Sequence, residues 1–120
     1  MELYRLVEGS KAVYEKVTIK TAADKRAWEY WWDAKDRVVQ CDCVNQVKVS
    51  TVFVGVGVGD NPGLYETRVF GGQHNDRAVL SACHAEAVKC HEVTLAGVRD
   101  SEGVTALEKL ARKRRHAPWA

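Results

Sequence analysis

Val47-Lys48-Val49-Ser50-Thr51-Val52-Phe53-Val54 is dense in β-branched residues, the side chains that fit a pleated sheet surface. It predicts a strand over 47–56. Just upstream, Val39, Cys41 and Cys43 alternate with Val38, Gln40 and Asp42, the period of two expected of a second strand over 37–44. Asn45-Gln46 supplies the turn, so the pair reads as a hairpin. Downstream, Gly55, Gly57 and Gly59 lead into Asp60-Asn61-Pro62-Gly63, a composition that predicts a flexible loop. Leu64-Tyr65-Glu66-Thr67-Arg68-Val69-Phe70 follows as another strand, stopped by Gly71-Gly72.

Outside this block the pattern gives strands over 3–7 and 12–19, joined through Glu8-Gly9-Ser10-Lys11. The period then changes. Thr21 is a good N-cap, and Asp24 three residues on completes a capping-box pattern. The helix predicted over 22–34 places Trp28, Trp31 and Trp32 on one face at i, i+3 and i+4. Residues 78–96 read as a second helix, with Val79, Cys83, Ala87, Cys90 and Thr94 as its stripe. Residues 102–114 read as a third, with Val104, Leu107, Leu110 and Ala111 on one side. The order of strands, helix, strands, helices predicts an α+β fold: a largely antiparallel sheet of about five strands with two or three helices packed on it.

The length of 120 residues suits one domain, predicted over 1–111, with a basic tail over 112–120. No stretch approaches the roughly 18 apolar residues of a membrane-spanning helix, and the N-terminus lacks the pattern of a secretory signal. The expected setting is cytoplasmic, with Cys41, Cys43, Cys83 and Cys90 reduced. The net charge is +2. Arg112, Lys113, Arg114 and Arg115 supply four positive charges, so the remaining body is negative by about two. That tail is a candidate contact for nucleic acid or an acidic partner. Against this, basic residues at a helix C-terminus also suit its dipole.

The motifs that suggest chemistry are weak. Gly55-x-Gly57-x-Gly59 precedes a strand and not a helix, and no G-K-[ST] follows, so a phosphate loop is not expected. Cys83 and Cys90, like His84 and His91, are seven apart. On a helix that is about 10 Å along the axis, too far for either pair to share a zinc ion with bonds of about 2.0–2.3 Å. No metal and no cofactor are expected, and the cysteines read as buried structural thiols. His74 stands in the loop Gln73-His74-Asn75-Asp76, and the carboxylates are scattered among unrelated elements. No catalytic set emerges.

Two surfaces remain as candidates. The tryptophan stripe Trp28, Trp31 and Trp32 reads mainly as core, with a share left over for an oligomer contact. Uncovered sheet edges add to the expectation of a homo-oligomer. Glu66 and Arg68 lie two apart on one strand, so they share a face with Leu64 and Phe70. Two charges on that face mean either a solvated face with a pair worth under about 1 kcal/mol or, the reading preferred, a groove for a ligand or partner. Gly57, Gly59 and Asp60 of the loop would close over it, and His74 would stand nearby.

The segments Ala27-Trp28…Trp31-Trp32…Asp36-Arg37-Val38-Val39, Ser50-Thr51-Val52-Phe53-Val54-Gly55, Leu64-Tyr65-Glu66-Thr67…Val69-Phe70-Gly71-Gly72 and Cys90-His91 together resemble a family of small tailed-phage and prophage proteins. Members of that family carry D-R-x-V-A, S-T-V-F-L-G-L-D-H and E-T-M-V-F-G-G segments. The resemblance runs over residues 27–97. It departs where the family has Asp-His and this chain has Gly57-Val58, and where the family has Met and this chain has Arg68. It implies a phage or prophage setting and no mechanism. Small size, no convincing catalytic set, an aromatic-rich surface candidate and a basic tail, taken with that setting, give the expected function: a non-enzymatic accessory protein that binds a host protein or a small signalling molecule in the host cytoplasm, as a counter-defence factor. A nucleic-acid-binding module working through the tail is the second class. A small nucleotide-handling enzyme using the glycine loop and His74 is the third.

Overall fold

A computed structural model describes residues 2–57 and 63–115, with side chains as far as Ser101. The chain is α+β, with seven strands in two antiparallel sheets and two helices. The elements are β1 (Glu2–Leu6), β2 (Tyr14–Val17), α1 (Ala22–Ala34), β3 (Val38–Val44), β4 (Val47–Phe53), β5 (Val56–Gly57), β6 (Tyr65–Phe70), β7 (Ala78–Ser81) and α2 (His84–Arg115). The larger sheet has the order β3-β4-β6-β7, and the smaller one β2-β1-β5.

The hairpin β3–β4 turns through Asn45 and Gln46, both at positive φ (48° and 69°), as a two-residue turn of this hand requires. Along β4, Val47, Val49, Thr51 and Phe53 are buried while the residues between them are not. The same alternation puts Tyr65, Thr67 and Val69 of β6 inside. On α2 the inward residues are Ala87, His91, Leu95 and Val98, spaced at four, four and three.

These inward positions form three layers. Leu6, Phe53, Leu64, Tyr65 and Ala87 make one apolar cluster, and Val47, Val49, Val69, Leu95 and Val98 make the other. Thr51, Thr67 and His91 are the buried polar residues between them. Full burial of each large apolar side chain stabilises the fold by about 1.5–3 kcal/mol.

α1 follows its sequence signals. Thr21 Oγ1 accepts from the Asp24 amide at 3.2 Å, and Asp24 Oδ2 accepts from the Thr21 amide at 3.0 Å. The helix has no buried residue. It is held by two indole N–H groups, Trp28 Nε1 donating to Tyr4 O and Trp32 Nε1 to Val54 O, both at 2.7 Å. Trp31 meets the Phe53 ring edge-on at 6.3 Å. Arg37 lies 3.4 Å from the Trp32 ring centroid and donates to the carbonyls of Trp32 and Phe53 at 2.9 and 2.7 Å.

Several expectations are corrected. Residues 78–81 form β7, and Val79 belongs to a strand. The turn before β7 is set by Asp76 at φ 66° and by Asn75 Oδ1 accepting from the Gly71 amide. The two C-terminal helices are one, 32 residues long and therefore about 48 Å. Gly97 does not break it, because Leu95 and Val98 on either side pack into the second apolar cluster. The glycine run is not wholly loop: Val56 and Gly57 pair with Leu3 and Glu2. Leu64 lies in the core, fully buried, and not beside Glu66.

Candidate functional site

The hairpin register carries one irregularity. Val38 pairs with Val52 and Gln40 with Thr51, so Val39 is an extra residue, a β-bulge. An extra residue reverses which face every later side chain takes. Val39 packs on the first apolar cluster. Beyond it, Gln40 and Asp42 turn toward α2, while Cys41 and Cys43 turn out and are exposed. The expectation of four buried thiols therefore fails for this pair. Cys83 and Cys90 are half-buried.

The bulge builds a hydrogen-bonded chain that the sequence reading missed. Thr67 Oγ1 and Thr51 Oγ1 are 2.7 Å apart, Thr51 Oγ1 and His91 Nδ1 2.8 Å, and His91 Nε2 and Asp42 Oδ2 2.7 Å. Gln40 Nε2 donates to Asp42 Oδ2 at 3.1 Å and to Glu92 Oε1 at 2.7 Å. A carboxylate only accepts, so Nε2 carries the proton toward Asp42. In the neutral ring Nδ1 then accepts from Thr51, which accepts from Thr67. The His91 bond, then that of Gln40, hold the Asp42 carboxyl below its usual range.

Hydroxyl, imidazole and carboxylate in this order copy the connectivity of a nucleophilic triad. Access decides against that role. Thr51 and His91 have no solvent exposure, and Thr67 has 2%. A nucleophile must reach a substrate atom, and this hydroxyl lies beneath α2 between two apolar layers. The chain is instead a satisfied polar layer that fixes the register of α2 on β3, β4 and β6. Two threonines at inward strand positions were its sequence signal.

The opposite face of the larger sheet is different. Three rows cross it in register: Val38, Val52, Glu66 and Leu80; Cys41, Ser50, Arg68 and Ala78; Cys43, Lys48 and Phe70. Arg68 Nε donates to Glu66 Oε1 at 2.9 Å and Arg68 Nη1 lies 4.0 Å from Asp76 Oδ1. Lys48 Nζ stands 4.6 Å from the Phe70 ring centroid. Val38, Phe70 and Leu80 are 41, 40 and 61% exposed. Both helices pack elsewhere. The result is an exposed sheet face with a half-buried ion pair at its centre and apolar side chains at its margins.

The predicted site residues divide accordingly. Glu66 and Arg68 meet on this face. Gly57 does not join them, because it is buried in β5, where pairing with β1 fixes its backbone. Gly59 and Asp60 lie outside the described residues. The far end of their loop returns beside the face, since a Cβ on Gly63 would meet Leu80 Cβ at 2.6 Å. His74 contacts another element: it is half-buried, with Nε2 3.1 Å from Ser101 Oγ of α2. Trp28, Trp31 and Trp32 are half-buried and dock α1 onto the body. Arg112, Lys113, Arg114 and Arg115 end α2, and their side chains lie outside the described residues.

A separate recess of about 510 Å³ runs between β1, β2 and α1, lined by Arg5, Glu8, Glu15, Trp31 and Lys35. Its central cation is committed, Arg5 Nε to Glu15 Oε1 at 2.6 Å. Among the described residues no group of three His, Cys, Asp or Glu side chains is placed to hold a metal ion, and no helix is long and apolar enough to cross a membrane. No family model matches the chain, and neither a curated protein nor a solved structure does.

Proposed function

We propose that this chain is a non-enzymatic, phage- or prophage-encoded accessory protein that binds a host protein in the cytoplasm through the open face of its larger sheet, and that it acts in counter-defence. The observation that carries the binding surface is the exposure of Val38, Phe70 and Leu80 at the margins of the face around the Glu66–Arg68 pair. Apolar side chains at this exposure favour burial against a partner. An ion pair between them gives orientation and discriminates among partners. The burial of Thr51 and His91 supports the non-enzymatic part. The resemblance of residues 27–97 to phage proteins supports the setting, and the counter-defence role follows from that setting by association.

The test is capture from host lysate with side-by-side variants. Arg68→Glu and Phe70→Ser change only exposed or half-exposed groups, so circular dichroism is expected to match the parent. Each is expected to lose at least about tenfold in partner retained, the scale of 1.4 kcal/mol. Folded variants that retain the partner like the parent would place the binding surface elsewhere. A salt-sensitive gel shift that disappears when residues 112–120 are deleted would replace this reading with nucleic-acid binding.

A further inference from the structure

We propose that Cys41 and Cys43 form a two-coordinate site for a thiophilic monovalent ion, copper(I), on the exposed edge of the larger sheet. The two thiols share a face because they lie two apart on β3, and the bulge at Val39 turns that face outward. β3 is the edge strand of the sheet, so one flank of the pair is open.

Spacing separates a metal from a disulfide here. Residues i and i+2 of a strand lie about 6.6 Å apart and project in parallel. A disulfide needs Cβ atoms about 3.5–4.5 Å apart, so the two thiols do not close on each other without breaking the strand. Metal–thiolate bonds are about 2.3 Å long for zinc, and two in line set the sulfurs about 4.6 Å apart. Side chains leaning toward each other span that distance with the backbone in place. Zinc itself is poorly served, because it takes four ligands and no third ligating side chain joins the pair among the described residues. Copper(I) is soft and suits thiolate donors.

The charge also fits. Each thiol releases its proton to solvent as its sulfur binds the ion. Copper enters and remains as copper(I), so no electron is transferred. Two thiolates around one monovalent ion leave a net charge of −1. Lys48 is directly opposite Cys43 in the register, and Arg68 lies one strand beyond Ser50, which is opposite Cys41. Both cations stand on the same face as the thiols, Arg68 already paired with Glu66 and Lys48 left as the cation with no carboxylate partner among the ion pairs of the described residues.

The experiment titrates the full, reduced chain without oxygen against copper(I) held by a chromophoric chelator. The parent is expected to withdraw about one ion per chain, and X-ray absorption to read two sulfur neighbours. Cys41→Ser/Cys43→Ser is expected to withdraw none. Cys83→Ser/Cys90→Ser should behave as the parent, with circular dichroism confirming that both variants fold. Failure of the parent to compete with the chelator would overturn the site. Retained binding in Cys41→Ser/Cys43→Ser, or three or more sulfur neighbours, would overturn it equally.

Discussion

His91 has both ring nitrogens committed inside the protein, and its partner Asp42 reaches solvent, with a side chain 38% exposed. The Asp42 carboxyl is held below its ordinary value of 3.8. The folded state therefore binds fewer protons at this residue than the unfolded chain does. The associated stability is fully present above about pH 4 and is lost as pH falls through the lower folded value. Asp42→Asn keeps an acceptor for His91 Nε2 but removes the titration. Its unfolding free energy is expected to fall less steeply below about pH 4 than that of the parent, as read by urea denaturation across pH. An unchanged slope would mean that other depressed carboxyls, Asp24 and Asp36 among them, carry the acid sensitivity.

Among the elements, the junction of β4 and β5 is tightly packed. Gly55 has φ 74°, and a Cβ there would stand 2.6 Å from the Tyr4 carbonyl oxygen and 2.9 Å from the Phe53 ring. The Tyr4 amide meanwhile donates to Gly55 O at 2.8 Å. Gly55→Ala is expected to cost about 2–4 kcal/mol, from left-handed strain and from separation of β5 and β1, measured as a lower denaturation midpoint. A loss below about 1 kcal/mol would mean that β5 is not a fixed strand. The elements legible in the sequence were those with local signals: the Thr21–Asp24 cap of α1, the Asn45-Gln46 hairpin, and the alternation in β4 and β6. Those misread depend on partners distant in sequence. β5 exists only because β1 pairs with it, and α2 crosses Gly97 only because the sheet holds both sides. The bulge at Val39 has no marker of its own, yet it exchanges Asp42 for the cysteines on the inner face. The Glu66–Arg68 pair was legible because a period of two suffices to place it. The His91 chain was not, because it joins four elements.

At the scale of the whole molecule, β3 and β7 are the outer strands of the larger sheet and β2 and β5 those of the smaller one, with edges unpaired among the described residues. Free edges invite pairing, and the exposed side chains of the open face add surface that association would cover. The chain is expected to be a homodimer or a larger assembly in solution, and light scattering that reports a strict monomer at high concentration would exclude this. One feature of α1 has an optical corollary. Three of the four tryptophans sit on a helix with no buried residue, docked largely through two indole hydrogen bonds, while the layered core lies between α2 and the larger sheet. Such a segment is the kind that opens locally before global unfolding. Intrinsic fluorescence then reports mainly on the docking of α1 and far-ultraviolet dichroism on the sheet and α2. The two traces are expected to separate under mild denaturant, the emission shifting to the red first, so that a melting curve taken from tryptophan light alone describes the release of one helix from a body still folded.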